Sequence, residues 1–160
     1  ALTTDKAIGL FEKFHVFTKA ELESRAEIQY ETYAKAINIE AKAMIDIASK
    51  QIIPAVIKYT KSLADTVNSV TAAGAEASVQ SELLAETSGL LSDTKVALQK
   101  LIDLDKKSEE VPEGTELAHY FHEEIVPVMA ELRAPVDALE MIVDKEMWPM
   151  PSYGDLLFEV

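Results

Sequence analysis

From Leu22 to Val70 the chain never loses one apolar stripe. Leu22, Ala26, Tyr30, Tyr33, Ile37, Ala41, Met44, Ala48, Ile52, Val56, Tyr59, Leu63, Val67 and Val70 follow one another at steps of three and four. That spacing keeps side chains on one side of an α-helix and suits a coiled-coil-like seam. No stop signal intervenes before Ala72-Ala73-Gly74, and only Pro54 interrupts. A helix over about 19–73 would be about 80 Å long. Only other long helices can cover such an element, so the stripe commits the chain to an all-α architecture.

The remaining sequence supplies those helices. Asp5 to about Phe14 reads as a short amphipathic helix on Ile8, Leu10, Phe11 and Phe14, with Thr4 as its N-cap. Thr18-Lys19-Ala20-Glu21 is a capping box that starts the long helix. A third helix, about 78–107, carries Leu84, Leu91 and Leu98 at steps of seven, and Pro112-Glu113-Gly114 closes the connection after it. A fourth, about 115–147, runs on Leu117, Phe121, Ile125, Val128, Leu132, Val136, Leu139 and Ile142 until Pro149 and Pro151 forbid continuation. Short connections make the three long helices run up, down and up. The expected fold is an elongated up-down-up bundle of three long, proline-kinked helices, with a short N-terminal helix and an extended C-terminal tail. Residues 1–147 would form the bundle and 148–160 the tail, with "PSYGD" as a turn.

Two features of this layout bear on function. The third helix, about 45 Å long, covers only the later part of the second. The early part, about Lys19 to Met44, is left over, and it is apolar on a second face at Ile28, Ala36, Ile39, Ala43 and Ile47. Either the first helix and the tail wrap it, or another chain or domain packs there. The second feature is an echo: "QIIPAV" around Pro54 and "EIVPVM" around Pro127. Each proline removes a helical hydrogen bond, and both are expected at one level of the bundle as a shared kink, with Pro135 adding to the bend.

Composition excludes several function classes. Net charge is −13, from 28 acidic against 15 basic residues, and Arg25 and Arg133 are the only arginines. A phosphate-tracking groove needs clustered basic residues, so nucleic acid is an unsuitable partner, and anionic lipid is too. No apolar run reaches the ~18–20 residues of a membrane span. With no Cys there is no disulfide, thiolate metal site or Cys nucleophile. The chain opens on Ala1, as a trimmed chain or a piece of a longer one would.

Candidate chemistry is sparse. Glu12-x-x-His15 and Glu116-x-x-His119 have the spacing of a carboxylate-bridged di-metal bundle. They sit at helix ends, however, where chance pairs in an acidic chain explain them better. His119-x-x-His122 puts two imidazoles on one side of a helix, but Zn needs a third ligand. Serine and threonine have no nearby base, and no glycine-rich loop could cradle phosphate. No catalytic, metal or cofactor residue is assigned.

The C-terminus is different. Of the last fourteen residues eight are large and apolar: Met147, Trp148, Met150, Tyr153, Leu156, Leu157, Phe158 and Val160. Burying one such residue is worth about 1.5–3 kcal/mol, so several repay the ordering of a short segment. The tail either covers its own bundle or docks onto a neighbour. The candidate docking residues are Leu22, Ile28, Tyr33 and Ile39 on the second helix, with Trp148, Tyr153, Leu156 and Phe158 in the tail.

The stretch "LFEKFHVFTKAELESRAEIQYETYAKAINIEAKAM" (residues 10–44), the later "IIPAVIKY" and the ending "WPMPSYGDLLFEV" together resemble the C-terminal region of type III glutamine synthetases. The resemblance is weaker over about 68–115. Met150 stands where the family suggests an aromatic, and His15 where it suggests Gly. The resemblance implies a cytoplasmic, ring-stacked oligomeric ligase that joins ammonia to glutamate with ATP and a divalent metal (Mg or Mn). Its catalytic parts lie upstream. This chain would be a non-catalytic C-terminal domain serving assembly, scaffolding or regulation, with the catalytic domain and neighbouring subunits as partners. A free-standing acidic interaction module is the alternative.

Overall fold

The computed structural model describes residues 2–151 and 153–158. Helices α1 (Asp5–Lys13), α2 (Lys19–Ile47), α3 (Ile53–Ala72), α4 (Ser78–Ser108), α5 (Thr115–Tyr120), α6 (Val126–Glu140) and α7 (Tyr153–Phe158) follow in order. A π-helical turn joins α2 to α3 at Ala48–Ile52, and another joins α5 to α6 at Phe121–Ile125. No strand occurs among the described residues.

Local chemistry sets the ends. Thr4 Oγ1 accepts the Ala7 N–H at 3.3 Å and caps α1. At α2 the capping box is complete: Thr18 Oγ1 accepts the Glu21 N–H at 3.4 Å, and Glu21 Oε2 accepts the Thr18 N–H at 2.8 Å. Glu21 is held below the usual carboxylate range, first by the hydrogen bond from the Thr18 backbone, then by the Thr18 side chain and the Arg25 charge. Gly74, at φ 80°, takes the left-handed position that stops α3.

The prolines mark the two π turns. Met44, Ala48, Ile52 and Val56 are separated by three consecutive steps of four. On an α-helix each such step overshoots by 40°, so the stripe would wander by about 120°. A π turn holds more residues and keeps the stripe facing the core. The Ile53 N–H reaches the Ala48 carbonyl and the Val126 N–H reaches the Phe121 carbonyl, five residues back. Pro54 and Pro127, lacking an N–H, then fall in the first turn of the next α segment, where that loss is tolerated.

The core is a pair of clusters. The larger joins Ala34, Ala41 and Ala48 to Leu98, Leu101, Phe121, Ile125 and Leu132. The smaller joins Ile52 and Val56 to Leu139 and Val143, with Trp148 against it. Alanine recurs every seventh residue at 34, 41, 48 and 55, all buried, so neighbouring helices approach α2 and α3 closely. On α4 the buried heptad is Thr87, Thr94, Leu101 and Ser108 rather than a leucine row; Leu84 and Leu91 are half-buried. Thr87 and Thr94 donate to the Leu83 and Leu90 carbonyls at 2.7 and 2.8 Å, so these hydroxyls are satisfied within their own helix.

Three expectations need correction. The prolines are not level. Tyr33 meets His122 at one end, and Ile52 and Val56 meet Leu139 and Val143 at the other. Pro54 therefore lies beside Glu146, Met147 and Pro149, whereas Pro127 belongs to the stretch packed on Ala41 and Ala48. Second, the last long helix stops at Glu140, not 147. The Met141 and Ile142 N–H groups bond three residues back, and Asp144 Oδ1 takes the Glu146 N–H at 2.7 Å. The Asp144 carbonyl then accepts from Met147 and Trp148, turning Trp148 onto the smaller cluster. Third, the tail is not extended throughout: Tyr153–Phe158 is helical. The prolines end at Pro151, and nothing after them blocks a helix.

Candidate docking surface

The eight expected docking residues divide by environment. Leu22 is a core residue, 1% exposed. Tyr33 is half-buried, and its hydroxyl lies 3.1 Å from His122 Nδ1. Ile28 and Ile39 stand out in water at 60% and 70% exposure. Eleven residues apart, they share one side of α2, three turns from each other. Ala36 and Ala43 beside them are exposed as well, whereas Ile47 packs against the smaller cluster. The second apolar face of early α2 is thus uncovered over most of its length.

What wraps the start of α2 is α1. Phe11 and Phe17 meet at a tilt with ring centroids 5.7 Å apart, and the Arg25 guanidinium lies 4.4 Å over the Phe17 ring. Glu12 Oε1 accepts the Lys19 N–H at 3.2 Å, adding a carboxylate at the N-terminus of α2. His15 takes φ 53°. Its N–H returns to the Glu12 carbonyl and that of Val16 to Phe11, so His15 occupies the left-handed cap where glycine is usual. Glu12 and His15, half of the considered metal constellation, therefore shape a turn.

The other half is also engaged locally. His119 Nδ1 is 3.6 Å from Glu123 Oε1, and His122 meets Tyr33. Both imidazoles, with Gln29, Tyr30, Tyr33 and Ala118, line a groove of about 270 Å³ between α2 and α5. Among the described residues no group of three or more His, Asp or Glu converges as a metal site would require. Among the described residues no helix is long and apolar enough to cross a membrane.

The tail is split in function between its two halves. Trp148 is half-buried against Ile52, Val56, Leu139 and Val143, and its buried Nε1 finds no acceptor among the described residues. Beyond Pro151, α7 returns toward the bundle through Lys145 Nζ and Asp155 Oδ1, 2.9 Å apart. Leu156 and Leu157 nevertheless remain 66% and 72% exposed. The Tyr153 and Phe158 side chains lie outside what the structure describes. The inner half of the tail covers its own bundle, and the outer half presents leucines to solvent.

The described residues form an acidic, all-α bundle that leaves several large apolar side chains in water. Comparison with known proteins specifies it. Residues 1–71 match the family model of the glutamine synthetase C-terminal domain. Over 98% of its length the chain is 32% identical to the type-3 glutamine synthetase of Dictyostelium discoideum, covering 22% of that protein. It is 30% identical to a glutamine synthetase of Butyrivibrio fibrisolvens, with 98% of the chain and 23% of that protein aligned. A glutamine synthetase of Bacteroides fragilis is 28% identical over 89% of the chain. Together these matches support a C-terminal fragment of a glutamine synthetase, of type 3. It spans about a fifth of the length of the curated relatives it matches.

Proposed function

We propose that this chain is the non-catalytic C-terminal helical domain of a cytoplasmic glutamine synthetase, and that it serves assembly of the parent enzyme. The observation that supports this reading is the number of large apolar side chains left in water, Ile28, Ile39, Leu156 and Leu157 together with Leu10, Phe14, Ile57 and Met141 among others. Leucines held in water on a short helix favour a partner that removes them from it, at about 25 cal/mol per Å² of apolar area. The partners are the catalytic domain and neighbouring subunits of the same enzyme. ATP and Mg or Mn belong to those catalytic parts, and no residue of this chain is assigned to them.

In this reading the bundle keeps Trp148, and the docking element is the outer half of the tail at Leu156 and Leu157. The three long segments run up, down and up, and the π turns before Pro54 and Pro127 bend two of them so that the bundle follows the surface it rests on. The experiment is a double substitution, Leu156→Ser with Leu157→Ser, in the longest natural chain that carries this domain. Light scattering after gel filtration should show loss of the large assembly, with the helicity of the domain unchanged. An assembly of unaltered size and stability would remove the docking role.

A further inference from the structure

Helix α1 turns only half of its apolar side to the bundle. At 100° per residue, Ile8, Phe11, Ala7, Phe14 and Leu10 fill one arc of about 160°. Ala7, Ile8 and Phe11 are half-buried, and Phe11 meets Phe17. Leu10 and Phe14, at the other edge of the arc, stand 55% and 65% exposed. Four residues apart, they are adjacent on the helix surface. The other positions beside Leu10 are Lys6, Ala7 and Lys13, so no carboxylate of α1 borders it. No residue of α1 is fully buried, and a nine-residue helix is marginal without packing.

The tail of the same chain does not reach this flank. Lys145 ties α7 beside Val143, which packs at the level of Ile52 and Val56. That level is thirty residues beyond Leu22, about 45 Å along the helix. What does lie close is whatever precedes Ala1. The family model is that of a C-terminal domain, and the chain spans about a fifth of its relatives. Four residues separate Ala1 from α1, at most about 14 Å, and Leu10 is about 8 Å further along the helix. A surface tethered that closely meets the flank at about millimolar effective concentration, an advantage a separate molecule lacks.

We infer that the Leu10–Phe14 flank of α1 docks on the part of its own polypeptide that precedes Ala1. The inference rests on the reading of this chain as the C-terminal domain of a larger glutamine synthetase. It names the surface by which the domain meets the catalytic part of the same subunit, through an apolar contact made within one chain.

Photo-crosslinking in the longest natural chain that carries this domain tests it. Phe14→benzoylphenylalanine should, on irradiation, bond to a peptide upstream of Ala1, and the product should keep the mass of one chain on a denaturing gel. Leu10→Ser with Phe14→Ser should speed tryptic cleavage at Lys6 and Lys13 several-fold. Cleavage at Lys58 and Lys61 should stay unchanged, which shows the bundle folded. Leu10→Met with Phe14→Leu keeps the apolar surface and should be cut as the unaltered chain is. A crosslink within the 160 residues, no crosslink, or unchanged cleavage of the Ser variant would overturn the inference. A product of twice the chain mass would overturn it too, but would leave the assembly role standing with a neighbouring subunit as the occupant. A natural chain no longer than these 160 residues would remove both.

Discussion

His15 holds a backbone conformation that most side chains avoid. At φ 53° it closes α1 with the bonds a glycine cap would make. The left-handed region costs a non-glycine residue roughly 1–2 kcal/mol, and glycine gives back about half of that in unfolded-chain entropy. His15→Gly should therefore stabilise the chain by about 0.5–1 kcal/mol in urea unfolding; a decrease would mean the imidazole contributes something the cap geometry does not show. Three residues later Thr18 and Glu21 hold the start of α2. Thr18→Ala should cost about 1 kcal/mol. Because Glu21 is depressed when folded, its contribution is present above the ordinary glutamate pKa and is lost as pH falls through the folded value. The stability gap between the unaltered chain and Glu21→Ala should narrow as the solution is acidified through that window, and a gap independent of pH would deny the carboxylate its part in the cap.

Elements were legible in the sequence to the extent that their signals are local. The capping box, the Gly74 stop and the helix over about 78–107 follow from local signals, and the structure has them, the helix ending at Ser108. The first π turn was announced less openly, by three steps of four in a row across Pro54, and the second, where the stripe steps by four, four and three from Leu117 to Val128, carries no such run. On α4 the leucine spacing finds Leu98, which is buried, but says nothing of Thr87 and Thr94. Their hydroxyls bond their own helix, which lets them be buried without a partner elsewhere. Thr87→Val should then change stability by less than about 1 kcal/mol, since shape is kept and the hydrogen bond lost is local. Thr87→Ala should cost more, through the gap it leaves in a fully buried site. Equal losses for the two substitutions would contradict that account. The end of α6 was illegible because Pro149 is a stronger written signal than Asp144, yet the Asp144 turn and the pull of Trp148 toward the smaller cluster act first.

For the whole molecule, the sequence and the structure meet at the two exposed rows. Ile28 and Ile39 were recognisable as candidates because the third helix is too short to reach them, and they are uncovered. Leu22 and Tyr33, chosen from the same stretch, lie on its continuous apolar stripe rather than on the second face, and they turn inward with that stripe. The tail resolves into an anchored half at Trp148 and a presented half at Leu156 and Leu157. The central claim is that these rows belong to a domain of a larger glutamine-forming enzyme. The most direct measurement is the size of the polypeptide that reacts, in lysate of the source organism, with an antibody raised against the WPMPSYGDLLFEV ending. The account predicts a band several times heavier than 17.6 kDa that follows glutamine-forming activity through gel filtration. A band at 17.6 kDa, eluting apart from that activity, would contradict it.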